Sequence, residues 1–192
     1  EYAEHVLDLW QSYAPNMTRD KILAMTIQDP TDTERHNDNL VNGVDVVGDT
    51  AYLTLRACFS TSSCTADHVA MLVLDVSNPA APTVLGDYAA PQGALRVDAR
   101  ADGYALLAES RCRLTIVDVA DPGGATEAAC VTLLSSGAAV DVTSNDDRAF
   151  VLDSGGNLFA VELAGPRRFS VSGSVLVAPD GAAVAVAGDR PY

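Results

Sequence analysis

One apolar phrase recurs three times in a chain of 192 residues. It reads "MLVLDVSNPAAPTVLGDY" from Met71, "LTIVDVADPGG" from Leu114 and "NLFAVELAGP" from Asn157. Aligned on their acids, Asp75, Asp118 and Glu162 stand 43 and 44 residues apart, and Pro79, Pro122 and Pro166 keep the same step. That period is the length of one propeller blade. Within each phrase both alternations are apolar: Leu72, Leu74 and Val76 share one strand face while Val73 lies on the other. A strand written this way has to be covered on both sides, and stacked blades supply that cover.

A second kind of unit precedes each phrase. "VDVVGDTAYLTL" opens at Val44, "RVDARADGYALLAE" at Arg96 and "AVDVTSNDDRAFVLD" at Ala139. Each reads as strand, polar turn, strand, with Tyr52, Tyr104 or Phe150 just past the turn. Gly48-Asp49, Asp102-Gly103 and Asn145-Asp146 favour the positive φ of tight hairpins. "SVLVAPDGAAVAVAG", with Asp180-Gly181 in its turn, opens a fourth unit. The polar insert "CFSTSSCTADH" lengthens the first. The expected organisation is an N-terminal segment over residues 1–43, then repeats over 44–91, 94–134, 138–166 and an incomplete 171–192.

The acid at each strand end can accept hydrogen bonds from nearby backbone N–H groups in a turn, and the proline then stops the strand. Asp75, Asp118 and Glu162, with Pro79, Pro122 and Pro166, are therefore read as structural rather than catalytic. "VLDVSNPAAPTVLGDY" and "TIVDVADP" resemble the LVIVD repeat of bacterial secreted and surface β-propellers. The resemblance spans about residues 44–190, with a degraded third copy, "AVELAGP". It implies a mainly β fold, a partial propeller of three blades and the start of a fourth. Because propellers close with about 4–8 blades, the chain is expected to be a piece of a longer one, with further blades supplied by the same or another chain. Its opening on Glu1 rather than Met is read the same way.

Residues 1–43 have another texture. Tyr2, Val6, Leu9, Trp10 and Tyr13 fall at helical spacing before Pro15, "KILAMTIQ" reads as a strand, and Thr31 to Glu34 fits a capping box. Trp10, Tyr13-Ala14-Pro15-Asn16, Pro30, Asp32, Glu34-Arg35, Asn39 and Gly43 resemble a segment of phytoene-dehydrogenase-like flavoproteins. That likeness implies, as the alternative, a fragment of an FAD-dependent oxidoreductase fused to a β-rich tail. No G-x-G-x-x-G accompanies it.

Little else carries chemistry. There is no G-x-S-x-G elbow, and His5, His36 and His68 are scattered. Acidic turn residues Asp146, Asp147 and Asp153 could offer oxygen ligands to Ca²⁺, but without EF-hand spacing. Catalytic carboxylates brought together from different blades would leave no spacing signal. Four cysteines, Cys58, Cys64, Cys112 and Cys130, allow three pairings. Cys58 and Cys64 bracket a short polar loop that can close on itself, which would leave Cys112 with Cys130. The even count fits an oxidising compartment, and Asn16-Met17-Thr18 fits a glycosylation sequon.

The formal charge of −14 opposes binding to nucleic acid or to an anionic membrane surface. No apolar run reaches the roughly 18–20 residues needed to span a bilayer. The expected function is thus a non-catalytic binding or scaffold module of a secreted, periplasmic or cell-surface propeller, engaging a protein or glycan and needing no cofactor.

Overall fold

The computed structural model describes residues 40–56, 69–90, 93–134, 137–165, 168–177, 183–187 and 190–191. The N-terminal helix, strand and capping box read from the sequence, and Cys58 and Cys64, lie outside them. Contacts divide the chain between Asn37 and Asp38, and the described residues all belong to the second unit.

Twelve strands form three antiparallel sheets of four in simple up-and-down order. The first holds β1 (Leu40–Val47), β2 (Thr50–Arg56), β3 (Val69–Asp75) and β4 (Thr83–Ala89). The second holds β5 (Ala94–Ala99), β6 (Tyr104–Glu109), β7 (Arg113–Asp118) and β8 (Thr126–Val131). The third holds β9 (Ala139–Ser144), β10 (Arg148–Asp153), β11 (Asn157–Leu163) and β12 (Phe169–Leu176). β5 packs against β1 and β2, and β9 against β5 and β6, so the leading strands of successive sheets lie side by side. These are three blades of a partial β-propeller.

The second sheet carries the double cover that its sequence demands. Ala105, Leu107 and Val117 join Tyr52, Met71, Val73 and Tyr88 of the first sheet in one core cluster. Leu106, Ala108, Leu114 and Ile116 join Val142, Val151, Phe159 and Val161 of the third in another. Neighbouring residues of β6 thus enter opposite cores, as a period of two requires.

Two expectations need correction. Ser174–Leu176 do not open a fourth unit: β12 pairs with β11, with Phe159 opposite Ser174, and completes the third sheet. The third repeat therefore runs past residue 166, and the short β13 (Val186–Ala187) and β14 (Arg190–Pro191) that follow pair with each other as a separate two-stranded sheet. The Asn145-Asp146 turn does not use positive φ; Asn145 Oδ1 instead accepts from Asp147 N at 3.1 Å and Arg148 N at 2.8 Å. Gly48 and Gly103 do adopt positive φ, 58° and 87°.

Val117 has no exposed surface and sits between two sheets. Val117→Asp should cost about 3 kcal/mol or more in urea denaturation, because the carboxylate would be buried without a partner. Asp146→Asn, on an exposed turn, should stay within about 0.5 kcal/mol of the parent. Equal effects would overturn the two-sided packing.

Candidate binding cleft between the second and third sheets

Each leading strand carries the triplet Val-Asp-Val or Val-Asp-Ala, and its carboxylate reaches forward to the next repeat. Asp45 Oδ2 on β1 accepts from Ala99 N on β5 at 2.7 Å. Asp98 on β5 accepts from the Ser144 hydroxyl on β9. Asp141 Oδ2 on β9 accepts from Val184 N at 2.7 Å. Val184, just ahead of β13, is thus the third donor in this forward-reaching series. These three acids were not among the residues singled out from the sequence. Their signal is nonetheless written there: an acid set between two apolar residues, at the same place in the leading strand of every repeat.

Burial pushes the Asp98 carboxyl up, and the nearby Asp45 charge adds to that, while Ser144 and Arg100 oppose it. Arg100, in the β5–β6 turn, ties the second blade to the third. Its Nε and Nη2 donate to the Asp102 carboxylate, the latter at 2.8 Å. Nη1 donates to Ser144 Oγ at 3.2 Å and Asn145 O at 2.6 Å, and Nη2 also donates to Asp146 O at 3.0 Å. All five guanidinium N–H groups are thereby engaged.

Two adjoining clefts share Arg100 and Asp102. The first, of about 210 Å³, has Leu106 and Ile116 as its floor and Tyr104, Leu163 and Phe169 as its walls. The second, of about 490 Å³, is polar and apolar in about equal measure and runs along Asp98, Ser144, Asn145 and Asp146. Both lie at the blade end formed by the β5–β6, β9–β10 and β11–β12 turns.

The opposite end of the second blade holds a buried acid. Glu109 Oε1 accepts from Thr115 Oγ1 at 2.5 Å and Cys112 N at 3.3 Å, while Oε2 has no hydrogen-bond partner. Arg111 pairs with Glu127, which also accepts from the Tyr88 hydroxyl at 3.1 Å. Burial, then the Glu127 and Glu109 charges, push the Tyr88 phenol up, so it remains a neutral donor. A disulfide joins Cys112 to Cys130 beside this group, tying the β6–β7 turn to β8.

The residues singled out from the sequence are dispersed. Asp75 Oδ1 accepts from Ser77 N at 2.8 Å, and Asp118 Oδ1 from Ala120 N at 3.1 Å. The Ser77 contacts hold the Asp75 carboxyl below its usual range. Glu162 differs: it takes Arg148 Nε at 2.7 Å across the β10–β11 pair. Pro122 opens a short 3-10 turn, Pro122–Gly124, capped by Asp121, and Pro79 lies in the β3–β4 turn. Pro166 is outside the described residues. Asp146 and Asp147 share an exposed turn, whereas Asp153 is buried at the far end of β10 and accepts from Gly155 N and Asn157 N. Among the described residues no group of three or more His, Cys, Asp or Glu is arranged to hold a metal ion. None of their helices is long and apolar enough to cross a membrane.

Two segments match the LVIVD repeat. They are residues 64–90, which include β3 and β4, and residues 101–132, which include β6, β7 and β8. In fold the chain is similar to the computationally designed Ika4 protein, with a TM-score of 0.58 and 8% identity over 80% of this chain and 83% of that one. It is also similar to the designed Ika8 protein, with a TM-score of 0.56 and 7% identity over 79% of this chain and 41% of that one. AztD from Citrobacter koseri, in its apo structure, gives a TM-score of 0.47 and 18% identity, covering 79% of this chain and 40% of that one. These neighbours are propeller-like folds, and the chain spans less than half the length of the latter two. No curated protein matches. The comparisons give the flavoprotein resemblance of residues 10–43 no support.

The raised Asp98 carboxyl makes a signed prediction. Its folded-state pKa exceeds its unfolded value, so the folded chain holds the proton more tightly and this group's contribution falls as pH rises through that window. Asp98→Asn keeps an oxygen to accept from Ser144 and removes the titration. In melts from about pH 4 to about pH 6, the Tm of the variant relative to the parent should rise. A difference that stays flat or reverses would show that burial does not raise Asp98.

Proposed function

We propose that the chain is a blade segment of a larger, exported β-propeller whose role is to bind a protein or glycan partner rather than to catalyse. One observation carries the incompleteness. On the face of the first sheet turned away from the second, Val44, Val46 and Val84 are 63%, 52% and 63% exposed. Val97 of β5 and Val142 of β9, the counterparts of Val44 and Val46, are buried on the covered sheets, and an apolar strand face of this kind normally meets another sheet. Further blades, from the same chain or another, would close it.

The cystine bridge between Cys112 and Cys130 supports an oxidising, secreted, periplasmic or cell-surface setting. The clefts at the turn end of the second and third blades support binding, since surface turns held on a rigid sheet scaffold are where such modules present their contacts. On this reading the module needs no cofactor.

Sedimentation velocity tests the incompleteness. The 192-residue piece alone should self-associate as concentration rises, and Val44→Lys combined with Val46→Lys should suppress this. A piece that stays monomeric without those substitutions would overturn the reading of an open ring.

A further inference from the structure

We infer that the paired clefts between the second and third blades form a recognition site for a polypeptide segment that presents one large apolar side chain next to Lys or Arg. The inference rests on the binding-module reading above and gives it a ligand class.

The apolar cleft sets the first half. At about 210 Å³ it is several times the ~30 Å³ that a water molecule occupies in the liquid, yet smaller than the ~300–1,000 Å³ of typical small-molecule pockets. That is room for a single aliphatic or aromatic side chain. Leu106 and Ile116 are almost fully buried at its base, so the floor belongs to the rigid core. Tyr104, Leu163 and Phe169 remain half-buried, and an inserted side chain would complete their cover. An anchor residue filling a pocket is the usual energetic centre of a protein–protein contact.

The adjoining groove sets the second half through its charge. Asp98, Asp102 and Asp146 face one cation, Arg100. The guanidinium spends all its donors on Asp102, Ser144, Asn145 and Asp146, so it has none left for an anion. The Asp146 carboxylate is exposed beside it. A ligand chain leaving the apolar cleft therefore enters a negative field, in a molecule whose formal charge is −14. A basic residue next to the anchor satisfies both clefts, and an acidic one would be repelled.

The test uses the full chain with its flanking blades and three dye-labelled peptides read by fluorescence anisotropy: acetyl-Lys-Trp-Lys-amide, acetyl-Lys-Ala-Lys-amide and acetyl-Glu-Trp-Glu-amide. The first should bind, and the other two at least tenfold more weakly. Asp146→Lys, which touches no core residue, should weaken the first peptide at least fivefold with Tm unchanged. Leu163→Gln should weaken it at least as much while leaving the residual affinity equal to that of the alanine peptide. Equal binding of the alanine peptide would reduce the effect to bulk charge and overturn the inference. So would equal binding of the acidic peptide, indifference to Asp146→Lys, or no binding at all. None of these results bears on the sedimentation of the isolated piece, so a failed ligand class and a failed module reading are told apart.

Discussion

Everything in this unit depends on the middle sheet being clothed on both sides. β6 and β7 have no polar face to offer water: Ala105, Leu107 and Val117 point one way, and Leu106, Leu114 and Ile116 the other. Each fully buried Val, Leu or Ile is worth about 1.5–3 kcal/mol over exposure, so a lone sheet of this sequence would leave half of that gain unrealised. The first sheet has the same double-sided writing, and there Val44, Val46 and Val84 stand open. Identical local sequence logic gives a finished element in one place and an unfinished one in the other, because only the neighbours differ.

Apolar faces alone do not fix how far one sheet slides past the next; the forward-reaching aspartates do. Asp45, Asp98 and Asp141 each find a donor on the following repeat, and each contact closes only at one offset. Arg100 repeats the tie at the turn end. Burying these acids costs solvation, and the raised Asp98 carboxyl records that cost. The equivalent ends of β6 and β10 show how repeats drift apart. Asp153 meets the N–H groups of its own turn at Gly155 and Asn157 with both oxygens supplied. Glu109, one methylene longer, satisfies Oε1 and leaves Oε2 without a partner.

The strands were legible because their pattern is local: alternating apolar faces, an acid and a proline at the exit, and a glycine in two of the hairpin turns. The blade boundary after Glu162 was not. There the degraded ending lacks the Asp-Pro pair, so nothing in the sequence marks Phe169–Leu176 as a returning strand rather than a new beginning. Asn145 misled in the same way, since Asn tolerates positive φ but closes its turn here through its own side-chain oxygen. The cleft was illegible for a different reason. Arg100, Asp146 and Phe169 are far apart in the chain and meet only because β5, β9 and the β11–β12 turn stack at one end, which no single repeat encodes.

The return turns show how closely neighbouring blades can approach. The β7–β8 return from Asp118 to Thr126 contains Asp121-Pro122-Gly123-Gly124, folded as a capped 3-10 turn. That turn leans on β4 of the first sheet so closely that a Cβ at Gly86 would come within 2.1 Å of Pro122 O. Backbone meets backbone at that point, and Gly86 is the residue that permits it. In the third sheet the return from Leu163 to Phe169 is shorter and has Gly165 where the second has Asp121. Gly165 has no side chain to cap such a turn as Asp121 does, and with Leu163 and Phe169 it borders the apolar hollow against Tyr104 and Leu106.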